Sequence, residues 1–253
     1  MAGRIPDRWL QYKSCGKVIE GTRIICFKVP LKRAVQVKHV EENNIWDITQ
    51  LLLRIPNIGA VLDLTNTARY YNPKNFEAVG VLHKKILIPG RAIPPESKVT
   101  EFMNALDGFL EDNNKCLVGV HCTHGLNRTG YMVCRYMRDR LGVPAAEAIR
   151  RFELARGYHI ERDNYVADLL RKPPLPPDEG CDTVVKPIKQ EENDEKITGE
   201  EKEDKAELSH KRKLEKTNIQ ENTKKKRHKR KKYTSDSSSM EKSDRSYDFK
   251  YDY

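Results

Sequence analysis

The chain has 253 residues, 38% of them hydrophobic and 33% charged, with a formal net charge of +10. That length holds one domain of middling size plus an appendage. No apolar run approaches the ~20 residues that span a bilayer, so no membrane association is expected. The opening MAGRIPDRWLQYK lacks a signal core, and six cysteines without a CxxC pair fit a reducing compartment rather than a disulfide scaffold.

In chain order the apolar patterns predict a strand over 22–29, a helix over 45–55, and strands over 58–64 and 81–88. A helix over 98–113, a strand over 116–121 and helices over 129–142, 144–156 and 162–172 follow. Pro144 at a helix start and Gly157 after its end fit the usual asymmetry of helix termini. Met132, Val133, Tyr136, Met137 and Leu141 form the apolar stripe of the helix over 129–142. Strands alternating with helices predict an α/β domain, with a central, mostly parallel sheet flanked by helices. At PPLPP, 173–177, the character changes, and residues 173–232 hold no Phe, Trp or Tyr. Such a stretch cannot offset its ordering entropy by burial. The expected division is therefore a domain at 1–172 and a disordered charged tail at 173–253. The basic run KKKRHKRKK, 224–232, suggests a nuclear import receptor as partner and the nucleus as location. Residues 1–172 hold 27 Lys and Arg against 18 Asp and Glu, a basic balance that suggests a polyanionic partner.

The chemistry concentrates in HCTHGLNRTG, His121 to Gly130. A strand that turns sharply into a helix aims free backbone N–H groups and the helix dipole at one point, which makes an anion site. Cys122 opens the loop and Arg128 closes it, so both the amides and the guanidinium favour the nucleophilic thiolate. The pattern implies attack of sulfur on phosphorus, with Arg128 forking two donors onto the phosphate oxygens. The loop lies at the carboxyl end of a central strand, where open α/β sheets bind ligands.

This segment resembles the active-site signature of the cysteine-dependent phosphatase superfamily. The resemblance implies the cysteine-phosphatase fold, with Cys122 as nucleophile and Arg128 as phosphate clamp. Thr129 would stabilise the thiolate and assist hydrolysis, and His121 would orient the loop without touching substrate. Thr123, His124, Gly125, Leu126, Asn127 and Arg128 would form the phosphate cradle, with no metal or other cofactor. With DLTNTARYYNP (63–73), PDRWLQY, CFKVPL, IPPES (93–97) and ERDNYVADLL (161–170), the similarity extends over 4–172 and narrows to the RNA 5′-phosphatase branch. That branch includes phosphatases that interact with RNA and ribonucleoprotein complexes and baculoviral RNA phosphatases. It implies an RNA 5′-tri- or diphosphate end as substrate, ribonucleoprotein or splicing factors among the partners, and a monomer.

The loop PGRAIPPESK, 89–98, lacks the Asp general acid that tyrosine and dual-specificity phosphatases place there; Glu96 is its one carboxylate. Asp63 is the alternative carboxylate, either supporting catalysis or capping the DLTNT turn. The loop interior carries no lysine, which counts against inositol lipids. Asn127 either meets phosphate or braces the turn. Arg162 and Arg156 are candidates for the further phosphates of the chain, and Arg69, Lys74 and Arg91 are expected to rim the pocket. The expected reaction is removal of γ- and β-phosphates from RNA 5′ ends. The rivals are a triphosphatase that stops at the diphosphate, a dual-specificity protein phosphatase, and a binding adaptor with an inactive pocket.

Overall fold

The computed structural model describes residues 4–112, 115–177, 185, 187 and 188. The basic run at 224–232, and most of the tail expected to be disordered, lie outside the described residues. After a 3₁₀ turn at Trp9–Gln11 come β1 (Cys15–Val18), β2 (Ile24–Lys28), α1 (Arg33–Gln36), α2 (Ile48–Arg54), β3 (Ile58–Asp63), α3 (Lys74–Glu77) and β4 (Leu82–Lys85). The order continues with α4 (Glu96–Asp112), β5 (Leu117–Cys122), α5 (Asn127–Asp139), α6 (Ala145–Arg156) and α7 (Asp163–Leu169).

Strand alternation decides the layers, because successive side chains point to opposite faces of a sheet. Ile24 and Cys26 of β2, Leu62 of β3, and Val118 and Val120 of β5 pack on one side with Phe102, Met132, Phe152 and Tyr165 from α4 to α7. Ile25, Phe27 and Val61 face the other side, against Trp9, Trp46, Leu51 and Phe76. The sheet runs β1-β2-β5-β3-β4, with β2, β5, β3 and β4 parallel and β1 antiparallel at the edge. This is the expected layered α/β architecture. β5 sits in its middle, so the residues at its carboxyl end are flanked by strands on both sides.

Local signals explain several boundaries. Asp47 Oδ1 accepts the Gln50 N–H at 2.9 Å and starts α2. Pro144 precedes α6, and Gly157 ends it in the left-handed region at φ 85. Other boundaries differ from the pattern. α5 begins at Asn127 rather than 129, which places Arg128 and Thr129 in its first turn, and it ends at Asp139. Leu141 therefore falls outside the helix and is 45% exposed, because the chain turns at Gly142 (φ 68) and Val143 N–H closes on Met137 O. The strand β1, CGKV, carries no alternating apolar pattern and shows only in its pairing with β2. Contacts also continue beyond residue 172. Val185 packs on the core and Ile188 N–H donates to Gly157 O at 3.0 Å, so the compact unit runs to Glu191.

Gly125 fixes how closely the loop after β5 approaches β2. Its φ is +64, and a Cβ there would lie 2.0 Å from Phe27 O. Gly142 shares the positive φ, at +68, but has open space around it. Gly142→Ala is expected to cost about 1–2 kcal/mol from conformation alone. Gly125→Ala must also displace strand backbone and should cost on the order of 3 kcal/mol or more. Urea denaturation midpoints compare the two; equal losses would overturn the close-approach account.

Candidate active site

The loop Thr123–Leu126 leaves β5 at Cys122 and enters α5 at Asn127. Its outer side is held by Arg156, whose guanidinium donates to Gly125 O at 3.0 Å, His124 O at 3.0 Å and Lys13 O at 2.8 Å. In a trans peptide the C=O and N–H point in opposite directions. Turning the carbonyls of His124 and Gly125 toward Arg156 therefore turns the N–H groups of Gly125 and Leu126 toward the interior of the loop. Arg156 is 1% exposed and braces the loop from behind; it does not reach a phosphate chain, as the sequence had suggested.

Cys122 is buried at 3% exposure, and burial by itself pushes a thiol up. The Arg128 charge, the Thr129 hydroxyl and the backbone N–H groups of Thr129 and Leu126 outweigh burial and hold the thiol below its ordinary value. The Thr129 hydroxyl is buried next to the thiol and, with the Thr129 N–H, is among the groups that lower its pKa. Cys26, on the neighbouring strand, lacks these donors, and burial pushes its thiol well above the ordinary range. The difference between the two thiols is the set of donors at the β5–α5 turn.

Arg128 is fixed before any ligand arrives. Its Nη1 donates to Ile88 O at 2.8 Å and Leu64 O at 3.2 Å, and its Nη2 to Thr123 Oγ1 at 3.0 Å. The carbonyls come from beyond the ends of β3 and β4, so the sheet itself positions the guanidinium. A cavity of about 270 Å³ opens above these groups, lined by Pro6, Asp7, Gly90, Arg91, Cys122, Thr123, His124, Asn127, Arg128, Arg162 and Tyr165.

Beneath the loop lies a buried polar cluster. His121 Nδ1 donates to Cys122 O at 3.1 Å, and its Nε2 meets Tyr71 Oη at 2.8 Å. Burial keeps His121 neutral at ordinary pH, with a pKa below the usual imidazole value despite nearby Asp63. In that tautomer Nε2 accepts a hydrogen bond, and Tyr71 is a donor to either His121 or Asp63 Oδ2, which lies at 2.8 Å. Asp63 also accepts from Lys85 Nζ at 3.0 Å, and from Thr65 N–H and Oγ1 at 2.8 and 2.7 Å. Burial would raise its pKa, but the Lys85 charge and the two Thr65 donors act against it, and the pKa lies below the ordinary carboxylate value. Asp63 is thus an engaged carboxylate that caps the turn after β3, the second of its two expected roles, and it is not among the residues that line the cavity.

Other expectations change in the same way. Leu126 and Gly125 contribute backbone only, since Leu126 is buried in the core. Asn127 lines the cavity, yet its amide is spent on Glu161: its Oδ1 accepts Glu161 N–H at 2.8 Å and its Nδ2 donates to Oε2 at 3.2 Å. It braces the start of α7. Glu96 pairs with Arg135 at 2.8 Å and points away from the cavity lining. Arg91 and Arg162 line the cavity; Arg69, stacked on Tyr70, and Lys74, in α3, do not.

Sequence reasoning missed the segment 6–13 as a wall of the site. Asp7 lines the cavity, and its carbonyl accepts His124 Nε2–H at 2.7 Å. Arg8 and Tyr12 both bond Glu161, at 2.7 and 2.6 Å. Lys28 Nζ holds the segment from the core side through Trp9 O and Tyr12 O, and burial lowers its pKa to about 7. The PDRWLQY motif was a signal of likeness only; nothing in its composition placed it against a loop more than a hundred residues away. Tyr165, also missed, brings a buried hydroxyl to the cavity; the Arg91 N–H faces it without closing a hydrogen bond.

A thiol held below its ordinary pKa, in an amide cradle closed by a fixed guanidinium at the end of a central parallel strand, defines a cysteine-dependent phosphatase. Residues 44–173 match the family described as dual specificity phosphatase, catalytic domain, and the chain belongs to that family. Among its relatives is the tyrosine-protein phosphatase of Autographa californica nuclear polyhedrosis virus, 51% identical over 65% of this chain and 98% of the viral one. The human RNA/RNP complex-1-interacting phosphatase is 40% identical over 67% of this chain but only 52% of its own length, so the chain matches about half of that protein. Its Caenorhabditis elegans homolog is 41% identical over 66% of this chain and 75% of its own.

Removing a donor to the thiolate raises its pKa. Thr129→Ala is expected to move the midpoint of the pH profile for iodoacetamide alkylation of Cys122 upward by about one unit. Mass spectrometry of the labelled peptide reads this directly, and an unmoved midpoint would remove Thr129 from the thiolate's support.

Proposed function

We propose that the domain hydrolyses RNA 5′-tri- and diphosphate ends to a 5′-monophosphate through a cysteinyl-phosphate on Cys122. The observation that carries this reading is the segment between β4 and α4. It brings no carboxylate to the cavity: Gly90 and Arg91 are its lining residues, and Glu96 is turned onto Arg135. A proton donor accelerates departure of a poor leaving group by roughly 10²–10⁴-fold, which an alkoxide or phenoxide needs. Expelling a diphosphate needs it far less, because that anion is a weak base. Arginines at the cavity suit a run of phosphates. Human and worm relatives whose names state an RNA/RNP interaction support the same reading.

In the first step Cys122 Sγ attacks the terminal phosphorus. The P–S bond forms as the P–O bond to the next phosphate breaks, and its electron pair leaves on the diphosphate oxygen. Arg128 and the loop amides hold the equatorial oxygens throughout. In the second step water displaces the sulfur, releasing orthophosphate and the thiolate. Repetition on the diphosphate end gives the monophosphate. An enzyme that stops at the diphosphate shares every residue of this scheme.

Dual-specificity protein phosphatase activity is the second reading, favoured by the name of the viral relative and by Asp7, a carboxylate at the cavity from another part of the chain. Thin-layer analysis of γ- and β-labelled triphosphate RNA against a phosphotyrosine peptide separates the readings. The expected kcat/KM is at least about 10²-fold higher for the RNA. A preference for the peptide, lost in Asp7→Asn, would establish the protein phosphatase instead. Cys122→Ser is expected to abolish turnover on either substrate, since a hydroxyl is a much poorer nucleophile. Turnover should persist in EDTA; a strict need for a divalent ion would overturn cysteine chemistry.

Nuclear location is part of the same proposal, carried by the basic run at 224–232. A tagged chain ending at Glu191, where the compact unit ends, is expected to lose nuclear accumulation while its turnover of short triphosphate RNA stays within about twofold, since the catalytic unit's own positive balance attracts a short anion. Loss of turnover would place the deleted residues within the catalytic unit.

A further inference from the structure

We infer that Arg91 binds the second phosphate of the substrate, the one that leaves, and so makes the site prefer a phosphate chain to a single phosphoryl group. The inference deepens the triphosphatase reading and rests on it for the identity of the substrate. Three observations converge on this residue.

The first is its backbone. Arg91 has φ 75, in the left-handed region that non-glycine residues rarely enter, although a glycine stands beside it at position 90. The second is what enforces that conformation. Arg91 O accepts Asn164 Nδ2–H at 2.7 Å, and Asn164 is 4% exposed on the first turn of α7. The loop is thus pinned to the first turn of α7. The third is the side chain. It lines the cavity with Cys122 and Arg128, and among the described residues no group hydrogen-bonds or ion-pairs with its guanidinium. Other arginines around the site are spent internally: Arg156 on loop carbonyls, Arg8 on Glu161, Arg135 on Glu96. An unfavourable backbone held in place by a buried amide, presenting an unpaired cation to a cavity, has its complement outside the protein.

The complement is an anion next to the one Arg128 clamps. When the P–O bond breaks, its electron pair passes to the bridging oxygen, and charge builds on the departing phosphate. A guanidinium there stabilises that charge without transferring a proton. Arg91 occupies the segment from which a carboxylic acid is absent, so a fixed positive charge replaces a proton donor. This accounts for a site able to expel diphosphate but poorly equipped to expel an alkoxide.

The test uses the full chain, in EDTA, turning over para-nitrophenyl phosphate, with orthophosphate and pyrophosphate as competing inhibitors. The wild-type chain is expected to bind pyrophosphate at least about tenfold more tightly than orthophosphate. Arg91→Gly and Arg91→Asn both suit a positive φ and remove the cation. Each should reduce that ratio by about tenfold, and should lower kcat/KM for triphosphate RNA more than for the single-phosphate substrate. A ratio unchanged in both variants overturns the assignment, as does a wild-type chain without pyrophosphate preference. If the ratio depends on Arg91 but triphosphate RNA is not hydrolysed, the second-phosphate subsite stands and the RNA reading fails.

Discussion

The site depends on a charge buried behind it. Arg156 lies at 1% exposure, and burial lowers its pKa, so the fold bears a desolvation cost to keep a guanidinium there. The return is geometric. Three backbone carbonyls, from Lys13, His124 and Gly125, converge on it, and each peptide so turned commits its N–H to the opposite direction. The same residue therefore holds the loop, ties it to α6 and anchors the segment leading into β1. The Gly125 backbone must lie against Phe27 O for this to work, which is why the loop has no room for a Cβ there.

Around that anchor the molecule separates support from reaction. His121, Tyr71, Asp63 and Lys85 form a buried network under the loop, with each polar atom engaged by another. Such a network is costly if any member is missing, and when complete it fixes one arrangement. Burial keeps His121 neutral, and the network sets which way the Cys122 carbonyl faces. Above the loop, basic residues outnumber acidic ones: among the described residues Arg128, Arg91 and Arg162 line the space, with Asp7 as the carboxylate-bearing residue. An anion entering that space replaces hydration with donors already oriented, so little reorganisation accompanies charge development on the phosphoryl group.

The wall opposite the sheet is built by residues 6–13, held from below by Lys28 and from the side by Glu161. Glu161 also takes Asn127, so the N-terminal segment, the first turn of α5 and the approach to α7 share one carboxylate. Position and polarity at the cavity therefore come from four separate parts of the chain, and a change in any of them alters the mouth without touching the nucleophile.

The sequence alone determined the reacting unit. Cys122, Arg128 and Thr129 lie within eight residues on a strand, turn and helix, and an anion site at a strand-to-helix turn is a local property of the backbone. Apolar periodicity likewise determined the parallel sheet and its covering helices, and Pro144 and Gly157 marked helix ends because such signals are short-range. Only the tertiary structure decided what the other polar residues do. An arginine in a sequence reads the same whether it braces carbonyls, as Arg156 does, or faces a cavity, as Arg91 does. A carboxylate reads the same whether it is engaged by three neighbours, as Asp63 is, or borders the site, as Asp7 does. The distinction rests on burial and on partners as far as 143 residues away, and these are set when the layers close, because electrostatic and hydrogen-bonding energies depend on distance in space and not on separation along the chain.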